Sequence, residues 1–373
     1  MLSQDAKIFE PGAARARMVS YGTIFDELTL VVFGVGKRRE NVLAQNVKAI
    51  SVGGASKTDS FFKGLRETSL LAHSMKADVI SAQDPFFIGC AGLLAAYRAH
   101  IPLHVQVHTD FMNAAYALSS VRRFFEIPLA FFVLSRASCV RVVSKRIARS
   151  LWWFVPQQKI TLLPIPPSPM RDVGRHPSLP KARPLEDGLS VLVVSRLEPE
   201  KRVHLALDAF AEWVTSDVTH SAGALLTVAG EGSERARLLI RARDLGLAGR
   251  VRFLGWQEGL APLYAEADIF LQLSRFEGYG LSLIEAGLAA LPIITTDVGI
   301  VGEVYESGRD ALVVSGAPQD VAAAIRRLAG DSALRNTLGA RAFENAQRTL
   351  IGRDEYLRRY RESFAECAKN KQS

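Results

Sequence analysis

The sequence predicts an α/β protein built from two parallel-sheet domains that face a cleft. Three observations carry this reading. Short β-branched apolar runs alternate with longer helical patterns along the whole chain. A proline-crowded stretch interrupts the alternation near the middle. The 373 residues suffice for two cores of ordinary size. Strand, helix, strand in this rhythm marks a parallel sheet covered by helices on both faces.

In the first half the strand segments are LTLVVF (28–33), VKAISV (47–52), ADVISA (77–82), LHVQV (103–107), ASCVRVV (137–143) and KITLLP (159–164). Helical patterns lie between them at 60–76, 88–100 and 121–135. A six- or seven-stranded domain over 1–165 is expected. Residues 166–188 are rich in proline and polar side chains, which excludes helix and central strand and reads as a linker. The alternation then restarts with LSVLVVS (189–195), a helix from about 200 to 214, ALLTVAG (224–230), a helix over 233–245 and RVRFLG (250–255). It continues with ADIFLQL (267–273), a helix over 280–290, LPIITT (291–296) and ALVVS (311–315). Helical segments at 318–329, 331–349 and 352–368 close the chain. A second domain over 189–350 and a terminal helix over 351–373 follow. Sheets of this kind bind ligands beyond the carboxyl ends of their strands.

Composition narrows the class. With 48% hydrophobic and 23% charged residues the profile is globular, and no uninterrupted apolar run reaches the roughly 18 residues of a spanning helix. The start, MLSQDAKIFEPGAARAR, lacks the basic, apolar, small-residue order of a signal peptide. Cys90, Cys139 and Cys367 are too few and too scattered for a disulfide frame or a zinc site, and fit a reducing cytoplasm. The net charge of +8 is uneven: residues 1–170 hold 20 Lys/Arg against 11 Asp/Glu, and residues 171–373 hold 26 against 27. Within 121–159 eight basic residues face a single acid, Glu126, and are interleaved with Phe124, Phe125, Phe131, Phe132, Trp152, Trp153 and Phe154. That mixture suits an anionic membrane surface or a phosphate-bearing acceptor, and equally a solvated helix face over a core stripe. No recognised reader motif accompanies the charge, so no nucleic-acid partner is expected.

The chemistry concentrates in SRFEGYGLSLIEAG (274–287). A strand ends in a short polar loop, and Gly278 and Gly280 lead into a helix. Glycines there let the backbone approach a ligand, and helix N–H groups with the dipole favour an anion such as phosphate. Glu277 precedes the turn and Glu285 lies about five residues into the helix, roughly 7 Å along its axis. Two carboxylates so placed can accept hydrogen bonds from diols on either side of a bound phosphate, as a nucleotide-sugar presents them. Two motif-like runs carry nothing: GGASKT (53–58) lacks the phosphate-loop spacing, and FGVGK (33–37) lacks the third glycine of a dinucleotide fingerprint.

FEGYGLSLIEAG, with its Glu277-x7-Glu285 spacing, resembles the signature of the family 4 glycosyltransferases of GT-B fold. VVSRLEPEKRVHLALDAF (193–210), VAGEGSE (228–234), VRFLGW (251–256), YAEADIFLQLSRFEGYG (264–280) and LPIITTDVGIVGEVYESGRDALVV (291–314) agree in order and spacing. In the first half the likeness is looser and rests on architecture with VQVHTD and VRVVS. The resemblance implies two Rossmann-like domains, with the terminal helix packing back on the first. It implies that Arg196 and Lys201 hold the donor diphosphate, that Glu285 holds the ribose and that Glu277 holds the transferred sugar. Backbone around Tyr279, Gly280 and Leu281 would hold phosphate oxygens, and Gly230 and Gly232 would let the nucleotide lie close. His108 would contact the donor sugar or a phosphate, with Asp110 as a second contact. Gly12 and Arg15 would lie on the acceptor side, although EPGAARAR holds one glycine where relatives carry a glycine-rich turn. Arg202 follows Lys201 where relatives often have glycine.

The implied activity is transfer of a sugar from a UDP or GDP donor with retention, by front-face attack, with no protein nucleophile, cofactor or metal. No Asp-x-Asp or His/Asp cluster suited to Mg²⁺ is present in the sequence. The basic, aromatic first half points to a lipid-linked or cell-envelope polysaccharide acceptor and to a cytoplasmic protein at the inner membrane face. A nucleotide-sugar epimerase, a hydrolase with paired carboxylates, or a non-catalytic nucleotide-sugar-binding protein are the rival readings.

Overall fold

The computed structural model describes residues 1–167 and 188–369, so the expected linker falls almost wholly outside the described residues. The chain divides into two units, Met1–Ser168 with Ile351–Ser373 and Pro169–Leu350. The first unit runs β1 (Leu2–Ser3), α1 (Ala13–Gly22), β2 (Leu28–Val32), β3 (Arg39–Ala44), β4 (Val47–Ser51), α2 (Lys57–Ser74), β5 (Ile80–Ala82) and α3 (Phe87–Ala99). It continues with β6 (Leu103–Val107), α4 (Ala114–Ala117), α5 (Val121–Arg136), β7 (Cys139–Val142), α6 (Lys145–Leu151) and β8 (Ile160–Leu162). The sheet order is β3-β4-β2-β1-β5-β6-β7-β8, with every pair parallel except β3 against β4.

Eight strands exceed the six or seven expected, and the two unforeseen ones have physical reasons for being hard to read. β1 is two residues long, yet it sits between β2 and β5 with both residues buried. β3 exposes Arg39, Glu40, Asn41 and Val42 in succession, so this antiparallel edge strand shows no apolar alternation. The inner strands β2 and β6 are buried along their whole length, β2 as a nearly continuous apolar run and β6 with His104 and Gln106 buried beside its leucine and valines. Helices α5 and α6 start on serine caps: Ser120 Oγ accepts from Arg123 N at 3.2 Å, and Ser144 Oγ from Ile147 N at 3.3 Å.

The second unit comprises β9 (Ser190–Val194), α7 (Val203–Ser216), β10 (Leu225–Ala229), α8 (Arg235–Asp244), β11 (Val251–Gly255), α9 (Ala261–Glu266) and β12 (Ile269–Gln272). After these come α10 (Leu281–Leu288), β13 (Ile293–Thr295), β14 (Leu312–Val313), α11 (Pro318–Gly330) and α12 (Ser332–Thr349). All strands are parallel, in the order β11-β10-β9-β12-β13-β14. The chain winds outward from β9, then returns to the other side of β9 with β12. Sheets with such a reversal place ligands beyond the carboxyl ends of the strands that flank it, here β9 and β12. Phe210 and Trp213 of α7, both fully buried, anchor the core beneath it.

The last helix, α13 (Arg353–Lys369), belongs to the first unit. Arg141 of β7 is fully buried and donates to Tyr356 Oη at 3.0 Å, to Gln106 Oε1 at 2.8 Å and to Leu163 O at 3.1 and 3.0 Å. Gln106 in turn donates to Tyr360 Oη at 3.0 Å. A buried guanidinium so saturated with acceptors fixes helix and sheet in one register.

Candidate functional site

The segment after β9 supplies both expected cations. Lys201 ends a 3-10 turn, Pro199–Lys201, and its Nζ lies 2.5 Å from Glu277 Oε1. Arg196 is mostly exposed, with Nη2 3.2 Å from Glu200 Oε1. Arg202 adopts φ 50°, ψ 38°, the left-handed conformation that favours glycine. Its Nε donates to Leu273 O at 2.7 Å and its Nη2 to Ser274 O at 3.2 Å, which ties the start of α7 to the end of β12.

Glu277 is the convergence point. Its Oε1 also accepts from Ser274 Oγ at 2.7 Å and from Gln272 Nε2 at 3.4 Å. Among the described residues no hydrogen bond reaches Oε2, so one oxygen is anchored and the other is open. Gln272 accepts from Ser282 Oγ at 2.5 Å and so joins the first turn of α10 to the same cluster. Gly280, at φ 96°, precedes α10 and contributes no side-chain cap; Leu283 N donates to Gly280 O at 2.9 Å, and the Leu281 and Ser282 N–H groups stand at the positive end of the helix dipole. Tyr279 is buried, and its carbonyl accepts from Ile300 N at 3.0 Å.

Glu285 repeats the pattern of Glu277. Its Oε2 accepts from Tyr264 Oη at 2.9 Å, and no hydrogen bond among the described residues reaches Oε1. Burial pushes its carboxyl above the usual range, opposed by the Tyr264 hydrogen bond. A Cβ on Gly230 would lie 1.8 Å from Ser195 O, and one on Gly232 would lie 2.4 Å from Leu197 O. Packing against the segment after β9 therefore requires glycine at both positions by itself.

In the first unit His108 and Asp110 follow β6, while Gly12 caps α1 and Arg15 lies in that helix's first turn. Part of the His108 ring reaches solvent, but its Nδ1 is buried without a partner among the described residues. Burial, with Arg141 and Arg17 nearby, lowers its pKa to about 3 and keeps the imidazole neutral. Asp110 is buried, and burial pushes its carboxyl up while Arg146 and Asn113 oppose the shift. Asp84, after β5, was not singled out by residue reading. Burial raises its pKa to about 6, against hydrogen bonds from Phe86, Ile88 and Gly89 N–H groups.

Within the second unit the structure thus joins Lys201 to Glu277, and pairs Arg196 with Glu200 and Glu285 with Tyr264. Ser274, Gln272, Ser282 and Tyr264 were missed. YAEADIFLQLSRFEGYG (264–280) and the LSLIEAG that follows held them in plain view, but hydroxyl and amide residues at strand ends carry no signal until their partners are known. Among the described residues no group of three or more His, Cys, Asp or Glu side chains is placed to hold a metal ion, and no helix is long and apolar enough to cross a membrane.

Two parallel-sheet α/β domains, one with its polar cluster at the strand-order reversal, define the GT-B class of fold. The family model for glycosyl transferases group 1 matches residues 178–345, and that for a glycosyl transferase 4-like domain matches residues 28–166. The chain belongs to the GT-B glycosyltransferases of the family 4 type. It is 31% identical over 167 residues to lipopolysaccharide core biosynthesis glycosyltransferase LpsE of Rhizobium meliloti, covering 44% of this chain and 46% of that one. It is 36% identical over 167 residues to glycogen synthase of Mycobacterium tuberculosis, covering 43% and 39%. These matches span less than half the length of the curated relatives. Among solved structures, HepE of Anabaena in complex with UDP and glucose aligns with a TM-score of 0.73 at 19% identity over 98% of both chains. Sucrose-phosphate synthase of Thermosynechococcus elongatus aligns with a TM-score of 0.75 at 19% identity over 95% of this chain and 94% of that one. At such identities the likeness carries the fold alone.

Proposed function

We propose that the chain transfers a sugar from a nucleoside-diphosphate donor, UDP- or GDP-linked, to a hydroxyl of an acceptor, with retention at the anomeric carbon. The observation that supports this most is the pair of half-anchored carboxylates on either side of the uncapped start of α10. Glu277 offers Oε2 to hydroxyls of the transferred sugar, and Glu285 offers Oε1 to the ribose diol. Lys201, Arg196 and the first-turn N–H groups of α10 stabilise the charge that grows on the departing diphosphate. The acceptor oxygen bonds to the anomeric carbon as the bond from that carbon to the β-phosphate oxygen breaks. The acceptor proton passes to the leaving phosphate oxygen, so the step draws on no metal and no protein nucleophile.

In the first unit His108 is the proposed contact to the donor. As a neutral imidazole it serves a sugar hydroxyl, or donates one hydrogen bond to phosphate, rather than acting as a cation. Asp110 is its proposed companion, and Gly12 with Arg15 the proposed acceptor side. The acceptor reading is a lipid-linked or cell-envelope precursor handled at the inner membrane face, supported by the basic aromatic stretch 121–159 and by the part of the LpsE relative in lipopolysaccharide core biosynthesis. UDP is the first donor base to try, since HepE binds UDP. The test is a thermal-shift screen with UDP, GDP and ADP, followed by donor turnover with membrane extract read by mass spectrometry. A glycosylated product is expected. No response to any nucleotide, or donor consumed to free sugar with extract present, would defeat the reading.

A further inference from the structure

One face of α5 is built like a surface meant to leave water. Val121, Phe124, Phe125, Pro128, Phe131, Phe132 and Arg136 follow i, i+3, i+4 and i+7 spacing and share one side of the helix, whereas Ala130, Val133 and Leu134 occupy the buried side. Phe124 and Phe125 are 60% and 67% exposed, and Phe132 is 47% exposed. A soluble helix does not ordinarily spend three phenylalanines on water. The face continues onto the end of α6. Phe131 packs at 5.0 Å from Trp153 and 4.4 Å from Phe154, and Trp153 is itself 68% exposed.

Cations rim this apolar strip. Arg136 lies 3.9 Å over the Phe132 ring, and Arg122 flanks the opposite end of α5. Lys145 and Arg149 of α6, with Trp152, Ile160 and Leu162, line a groove of about 350 Å³ beside the aromatic strip. The one acid in the stretch, Glu126, is held by Arg122 at 2.8 Å and by the Tyr116 hydroxyl at 2.7 Å, so that pair is neutral and the rim's net positive charge comes from Arg136, Lys145 and Arg149.

We propose that the α5–α6 face docks on an anionic lipid bilayer, with Phe124, Phe125, Phe132 and Trp153 entering the headgroup boundary and Arg136, Lys145 and Arg149 meeting lipid phosphates. Aromatic rings with cations at their edge match the interface between acyl chains and headgroups, where each part finds its own medium. A protein partner would supply acids to the rim but would not need so wide an apolar strip at its centre to be free of hydrogen-bonding side chains. The proposal gives the membrane placement above a specific surface, and it does not rest on the donor site.

The experiment is co-sedimentation of the full chain with vesicles of phosphatidylglycerol and phosphatidylethanolamine, against vesicles of phosphatidylcholine. Binding to the anionic vesicles is expected, weakening as salt screens the rim. The triple variant Phe124→Ser, Phe125→Ser, Trp153→Ser should lose at least about tenfold in affinity. Arg136→Glu with Arg149→Glu should abolish the preference for anionic lipid. The singles Phe125→Ser and Trp153→Ser stand in if the triple fails to fold. The nucleotide thermal shift is run on each variant and should match the wild type, so a failed donor site and a failed docking face are told apart. Equal binding to both vesicle types, wild-type binding by the variants, or a patch that proves to pair two copies of the chain in sedimentation velocity would each overturn the proposal.

Discussion

Lys201 Nζ lies 2.5 Å from Glu277 Oε1, and both side chains are largely withdrawn from water at 13% and 14% exposure. The lysine proposed for phosphate is therefore already committed to the carboxylate proposed for the sugar. Removing Glu277's charge should free Lys201 for the donor. Glu277→Gln is expected to lower kcat/KM for transfer by about 10²-fold or more, while the nucleoside diphosphate alone binds as tightly as before or tighter. Lys201→Ala should instead weaken the nucleoside diphosphate. Calorimetry with UDP or GDP beside turnover with the sugar donor separates the two, and equal loss of nucleotide binding in both variants would refute the division of roles.

If Glu285 holds the donor ribose as proposed, Tyr264 and Glu285 should set a pH limit on donor binding. The ionised carboxylate is the stronger acceptor for a diol, and burial raises its pKa while the Tyr264 hydroxyl lowers it. Binding should therefore be full above that pKa and weaken as pH falls through it. Tyr264→Phe removes the opposing contribution, so the acidic limb of nucleotide affinity should move to higher pH, with little change well above it. A limb that stays in place in the variant would mean that Glu285 does not touch the ribose.

The fold was legible because short β-branched segments such as LTLVV and LHVQV recur between longer helical patterns, and both prove to be fully buried strands. β3 was not, because an edge strand with four exposed residues shows the sheet only through its pairing with β4. The order of Arg196, Lys201, Gly280 and the two glutamates along the chain announced a strand-end site. Their partners did not show, since Lys201 and Glu277 are 76 residues apart and only the return of β12 beside β9 brings them together. A glycine after a strand reads as room for a ligand, and the sequence does not show the second reason for Gly230, that a Cβ there would strike Ser195 O at 1.8 Å.

Arg202 holds a left-handed backbone at φ 50° because its side chain returns something for it. A non-glycine residue there costs about 1–2 kcal/mol. Two charge-assisted hydrogen bonds to the carbonyls of Leu273 and Ser274 offset that strain and steady the residue that anchors Glu277. Arg202→Ala loses the bonds and keeps the strain, whereas Arg202→Gly loses both. The expected order of stability in urea is wild type, then Gly, then Ala, with the last two about 1 kcal/mol apart. A variant Ala as stable as Gly would show that the backbone strain is absent in solution.

His104 should make the first unit sensitive to acid. It lies on β6 with no exposure, its Nδ1 3.1 Å from Ser81 Oγ and its ring stacked on Phe364 of α13 at 4.4 Å. Burial, and secondarily the Arg141 charge beside it, lowers its pKa from 6.5 to about 3. The unfolded chain thus takes up a proton below pH 6.5 that the folded chain refuses until near pH 3. Stability from this group is fully present above pH 6.5 and falls as pH drops towards 3. The slope is about 1.4 kcal/mol per pH unit, or about 2 kcal/mol by pH 5. His104→Asn keeps a polar atom at the Nδ1 position and removes the titration. Its loss of stability between pH 7 and pH 5, followed by urea unfolding, should be smaller than the wild type's by that amount. Other titrating groups, His108 included, remain in both proteins and cancel in the difference. If the two proteins lost stability in parallel, protonation of His104 would not be what acid acts on.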